Sequence, residues 1–190
     1  MLLHADPAVI VVGGVSGCGK STVGRLLATK LRGTFYEGDE YHPPANIAKL
    51  RRGVPLTDED RRPWLLSLQA VADNHARGAA KGKAVIACSA LKRGYRRVLR
   101  GTHPPNRIAI VMLLPTNEAV QERVHARAQQ GCHFMPPALL ADQLATLELP
   151  PAPHDFFYGL PGAAGDRSPQ ENVCSILTLL ARPPVQYEVF

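Results

Sequence analysis

The chain has 190 residues, 45% hydrophobic and 20% charged, with a net charge of +6 at pH 7. These are the proportions of an ordinary globular protein, and the length suits one domain over 1–190, burying roughly 70% of its unfolded surface. No apolar run approaches the ~20 residues of a membrane span, so no membrane partner is expected.

The N-terminal MLLHADPA lacks a basic region leading into an apolar one, and the C-terminal YEVF is no retention or peroxisomal signal; the cytoplasm is the expected location. The basic residues lie apart, at Arg51-Arg52, Arg61-Arg62, Lys92-Arg93, Arg96-Arg97, Arg123 and Arg127. Aromatics amount to 6%, with no interleaving of rings and basic groups. Stacking on bases is poorly served, so no nucleic-acid partner is expected, whereas a pocket for anions accounts for the charge. Cys18, Cys88, Cys132 and Cys174 form no CxxC pair, which argues against a metal cluster or a disulfide framework. Cys18 reads as a bystander thiol open to oxidation.

In chain order, the strand candidate Ala8–Val12 carries an apolar β-branched run, Val9 to Val12, suited to burial on both faces. Gly14-Val-Ser-Gly-Cys-Gly-Lys20-Ser21 follows, with glycine, four residues, glycine, lysine and serine. Glycines let successive N–H groups curl into one concavity, and a helix starting near Lys20 adds its positive end. Lys20 can reach the β- and γ-phosphates of a nucleoside triphosphate, and the Ser21 hydroxyl can ligate Mg²⁺. A dinucleotide fingerprint fits less well, since its third glycine would fall at Thr22. Val23, Leu26, Leu27 and Leu31 continue at helical spacing, and Gly33 is the expected C-terminal cap.

Thr34–Tyr36 reads as a second strand, followed by Glu37, Asp39, Glu40, His42 and a Pro-Pro opening a helix. A carboxylate there can accept a hydroxyl proton or hold Mg²⁺ through water; the same acids also suit a solvated turn or a helix cap. A further helix starts at Thr57 as N-cap with Asp60 three residues on, Pro63 in its first turn, and Trp64, Leu65, Leu68, Val71 and Ala72 as its apolar face. Arg61, near its start, suits an anion or plain solvent.

The third strand, Ala84–Cys88, ends in Cys88-Ser89 instead of the aspartate common in nucleotide hydrolases, which argues against a motor ATPase or GTPase. Ser89 and Lys92 stand at its end, though Lys92, Arg93, Arg96 and Arg97 also read as one solvated helix face. After Ile108–Leu114, Pro115 precedes a helix carrying Arg123 and Arg127 on one side. QQGCHFMPP then suggests a lid over about 123–140, with a helix surface and loop as the plain alternative. Phe156–Leu160 is a weak fifth strand, and Ser168-Pro169 caps a last helix. Strands alternating with helices predict an α/β fold of three layers, a five-stranded parallel sheet flanked by helices, with ligands at the carboxyl ends of the strands.

GVSGCGKST, GDEYHPPANIAKLRRGVPLTDEDRRPWL, ACSALKRGYR and ARAQQGCHFMPPALLADQLATLE, running from Gly14 to Glu148, resemble the gluconate kinases of the small P-loop kinase group, related to shikimate kinase. The resemblance implies the fold of nucleoside-monophosphate and shikimate kinases with a mobile lid, ATP and Mg²⁺ as cofactors, D-gluconate as substrate and 6-phosphogluconate as product. It implies that Gly14, Val15, Ser16, Gly17, Cys18, Gly19, Lys20, Ser21 and Thr22 hold the triphosphate, with Arg123 from the lid. Lys20, Asp39 and Arg127 take the catalytic positions. Asp39, His42, Arg61, Ser89, Lys92 and His133 take substrate positions, and Ser21 with Glu37 through water the metal positions. A homodimer is known among relatives.

Two departures stand out. Glu37 replaces the first aspartate of the Asp-x-Asp arrangement of related kinases, and Cys132 separates Gly131 from His133 where relatives read Gly-His-Phe. Beyond Pro153 the resemblance fades. A kinase of another small acid or polyol such as shikimate, or a nucleotide-switched binding module, are the alternative readings.

Overall fold

The structure is a computed structural model that describes residues 6–114, 116–129, 138–149, 157–161 and 167–181. Five parallel strands, β1 (Val9–Gly13), β2 (Thr34–Glu37), β3 (Ala84–Ala87), β4 (Ile108–Leu114) and β5 (Phe157–Pro161), form one sheet in the order β2-β3-β1-β4-β5. β1 lies at the centre, with Ile10 in register with Val85 on one side and Ala109 on the other. Alternation along the strands supplies both cores. Ile10 and Val12 face the layer of α1 (Lys20–Lys30), α5 (Asn117–Gln129), α6 (Ala138–Thr146) and α7 (Pro169–Ala181), packing with Leu27, Val120, Leu140 and Ile176. Val9 and Val11 face α3 (Asp58–Ala76) and α4 (Arg93–Arg100), against Trp64, Leu68 and Leu99. Full burial of each such side chain contributes roughly 1.5–3 kcal/mol, which fixes the strand register.

The expected strands are all present, within a residue at each end. Thr57 and Asp60 form a capping box, with Asp60 N–H on Thr57 Oγ1 at 3.2 Å and Thr57 N–H on the Asp60 carboxylate at 2.9 Å. Ser168 and Glu171 do the same for α7, at 3.2 and 2.7 Å. α2 (Pro44–Arg51) starts with its prolines at the cap and first position, after a short 3-10 turn at Gly38–Tyr41.

Three expectations change. Gly33 is not the left-handed residue after α1. Arg32 takes that conformation at φ 51°, its N–H on Thr29 O and the Gly33 N–H on Ala28 O, the two bonds of a Schellman motif. Pro63 lies in the second turn of α3, since the capping box sets the start at Asp58. Cys18 is buried, 1% exposed and within the core, so its thiol is shielded from oxidants. The expected lid is only partly covered: 130–137, including Cys132 and His133, lie outside the described residues, as do Pro115 and the last residues from 182.

Candidate active site

A cleft opens where the sheet ends. The loop between β1 and α1 forms its floor, with Ser16, Gly17, Gly19, Lys20, Ser21 and Thr22 on the lining. Gly19 caps α1 at φ 95°, a conformation that turns the next N–H groups inward and that side chains resist. The first turn of α1 carries no acidic residue, so its positive end stays free for an anion. The Lys20 ammonium donates to Val15 O at 2.9 Å, which holds it over the loop. Gly14 N–H donates to Ser89 O at 3.1 Å, tying the start of the loop to the end of β3.

Glu37 ends β2 close to Ser21, and Arg25 stands 3.8 Å away. Burial is the main cause that raises the Glu37 carboxyl above 4.5; Asp39 adds to it, while Ser21, Lys20 and Arg25 pull the other way. Glu37 and Ser21 offer a pair of hard oxygen donors next to the phosphate floor, a set suited to Mg²⁺.

The lining also holds Asp39, His42, Arg61, Trp64 and Ser89, together with Leu50, Leu56 and Leu91. Asp39 reaches the cleft because Gly38 lets the 3-10 turn lie against β3: a Cβ there would sit 2.1 Å from Ala87 O. Trp64 Nε1 donates to Gly38 O at 2.7 Å, anchoring the same turn. His42 stacks on the Trp64 indole, centroids 4.2 Å apart and planes 15° from parallel. Burial pushes the His42 imidazole down to about 4, with Arg61 acting the same way and Asp39 opposing.

Arg61 is held from behind. It donates to Tyr95 Oη at 3.2 Å, Tyr95 in turn donates to Asp58, and Lys92 Nζ meets both Asp58 oxygens at 2.8 and 2.9 Å. Lys92 first, then Tyr95, lowers the Asp58 carboxyl below its usual range. Lys92 therefore does not come to the cleft. As N-cap of α4 it turns to Asp58 and braces Arg61 through Asp58 and Tyr95.

Of the remaining expected residues, Gly14, Val15 and Cys18 shape the loop without lining the cleft. Arg123 and Arg127 ride on α5, with Arg123 partly buried and away from the lining. His133 lies outside the described residues.

Gln143 had no assigned role. From α6 its Oε1 accepts the Ser16 N–H at 2.6 Å, joining the helix beyond the expected lid to the phosphate floor. The available signal was a polar residue beside the Leu139-Leu140 stripe of an amphipathic helix. Trp64 read only as core, yet it lines the cleft as well.

The profile of the AAA_33 family, described as an AAA domain, matches residues 9–150. A probable gluconokinase of Rattus norvegicus is 43% identical over 180 residues, covering 83% of this chain and 94% of that one. The gluconokinase of Gluconobacter oxydans is 48% identical over 146 residues, 76% of this chain and 77% of that protein. Among solved structures, a gluconokinase from Sinorhizobium meliloti superposes with a TM-score of 0.75 at 41% identity, covering 92% of each chain.

Proposed function

The chain belongs to the gluconokinase family, and from that footing we propose that it transfers the γ-phosphoryl group of ATP to the 6-hydroxyl of D-gluconate, giving 6-phosphogluconate. The observation that carries this reading is the meeting of a phosphate floor and a carboxylate in one cleft. Lys20 and the loop line the same cleft as Asp39, Arg61, His42 and Ser89.

Phosphoryl transfer asks mainly for positioning and charge stabilisation. The loop N–H groups and the start of α1 bind the phosphates, and Lys20 moves from Val15 O onto the transferring group. Asp39 takes the hydroxyl proton as the new P–O bond forms and the bond to the leaving oxygen of ADP breaks. Arg61, braced by Tyr95, holds the substrate carboxylate, and Ser89 and His42 contact its hydroxyls. Glu37 and Ser21 would hold Mg²⁺, which would supply charge neutralisation for the transfer. Arg123 and Arg127 belong to the lid, over about 123–140, that excludes water. One kinase domain over 1–190, as the length suggests, a cytoplasmic location and, by resemblance, a homodimer complete the reading. No described helix is long and apolar enough to cross a membrane.

The test is Asp39→Asn, which removes the proton acceptor and leaves the loop intact. Turnover of gluconate should fall by about 10²-fold or more while Mg·ATP binding stays within about threefold. Wild-type turnover in this variant would remove Asp39 from the mechanism.

A further inference from the structure

Asn46 lies on α2, is only 3% exposed, and has no part in the roles assigned above. Its Nδ2 stands 2.7 Å from Asp60 O and 3.3 Å from His42 Nδ1. A main-chain carbonyl only accepts, so the amide end that faces Asp60 O must be the NH₂ and not the oxygen. One Nδ2 hydrogen goes to that carbonyl, and since an amide nitrogen donates and does not accept, the other serves the contact with His42 Nδ1. A ring nitrogen receiving a hydrogen bond carries no proton. The single proton of a neutral His42 ring is therefore on Nε2.

We propose that Asn46 is a positioning residue that fixes His42 as its Nε2–H tautomer, so that the ring offers the sugar acid a hydrogen-bond donor and no acceptor. The inference rests on the sugar-acid reading of the cleft for its substrate and on the Asn46 geometry for its tautomer.

The arrangement is rigid from both ends. Asp60 is the third residue of α3, its N–H and carboxylate engaged in the capping box and its oxygens gripped by Lys49 Nζ at 2.7 Å. That anchors the carbonyl that orients Asn46. On the other face Trp64 stacks on the ring and is itself held to Gly38 O, one residue before Asp39. The ring has little room to turn over. Its Nε2 has no hydrogen-bond partner among the described residues, and the ring lines the cleft beside Asp39, Arg61 and Ser89. The charged groups facing it are Asp39 from the 3-10 turn and Arg61 from α3; burial outweighs both and keeps the ring neutral well below pH 6.

The consequence is a division of labour across the cleft. Asp39 accepts a proton, while Arg61 and His42 only donate. A substrate with a hydroxyl at one end and acceptor oxygens at the other then binds in one orientation, because the reversed pose sets a carboxylate against Asp39. A free imidazole, able to present either nitrogen lone pair or N–H, would not enforce this.

The test begins with the wild-type protein. Long-range ¹H–¹⁵N correlation at neutral pH, with the His42 signals assigned by their loss in His42→Gln, should show protonation at Nε2 alone. In Asn46→Leu, which keeps the volume and removes both bonds, His42 should become a mixture of tautomers. The KM for gluconate should rise about tenfold with the KM for ATP unchanged. Protonation at Nδ1 in the wild type, or an unaltered Nε2–H signature with an unaltered gluconate KM in Asn46→Leu, overturns the proposal. The wild-type spectrum decides even if the variant fails to fold. Gluconate turnover is assayed separately, so its absence counts against the substrate, and the tautomer counts for or against Asn46.

Discussion

Gly38→Ala perturbs the point on which the acceptor wall hangs. A Cβ at this position would lie 2.1 Å from Ala87 O, 3.2 Å from Ala87 C and 3.4 Å from Cys88 Cα. Ordinary contact begins near 3.4 Å, so the turn and the strand must part by about 1.3 Å. All three neighbours are main-chain atoms of β3 and its exit, and β3 is paired on both sides, with β1 and β2. The strand cannot yield, and the turn must. Its movement also stretches the 2.7 Å bond from Trp64 Nε1 to Gly38 O.

Overpacking of this kind costs about 1–3 kcal/mol. The upper end applies where both partners are backbone, which for a chain of this size lowers Tm by about 6–12 °C. Asp39, the proton acceptor of the proposed mechanism, follows Gly38 directly, and a displacement of about 1 Å at a reacting group costs about 10²-fold in rate. The assays are thermal unfolding and coupled ADP release with gluconate, and Mg·ATP affinity should stay within about threefold because the loop is untouched. A Tm within about 2 °C of wild type together with kcat/KM within about threefold would refute the reasoning.

Other perturbations test separate parts of the structure. Arg32→Gly relieves the positive φ after α1 and should stabilise the protein by about 0.5–1 kcal/mol in denaturant unfolding; a loss of stability would show that Arg32 makes compensating contacts. His42 is held down at about 4 against an ordinary 6.5, so between those values the unfolded chain binds a proton that the folded one does not. Stability should therefore fall as pH drops from about 6.5 toward 4. His42→Gln should flatten that segment of the curve, and an unchanged slope would remove His42 as its cause. Gln143→Glu sets a carboxylate on the Ser16 N–H beside the phosphates and should raise the KM for ATP about tenfold or more with little change for gluconate, and an unchanged KM for ATP would detach α6 from the nucleotide site.

What could be read from the sequence was local. Val9 to Thr22 carries strand, loop and helix start within one stretch, and both capping boxes join residues three apart, so adjacency alone reveals them. Gly33 misled because a C-terminal glycine usually takes the left-handed position; here a Cβ would lie 2.5 Å from Lys83 O, and that close approach accounts for the residue. The pairing of Lys92 was not legible because a strand end places a residue near the ligand face without saying where a long side chain goes, and Asp58 lies 34 residues away. Asn46 and Gln143 reach Asp60 O and Ser16 N–H across 14 and 127 residues. No period or spacing encodes such bonds; only the packed fold brings the partners together.

The most direct test of the central claim is ADP release with Mg·ATP against D-gluconate, its epimers, shikimate, glycerate and no acceptor, with the product identified by mass and position of the phosphate. The account predicts turnover with gluconate well above every other acid, and phosphate on the 6-hydroxyl. Turnover of shikimate or glycerate in preference to gluconate, or no acceptor-dependent release from folded protein that binds ATP, would contradict it.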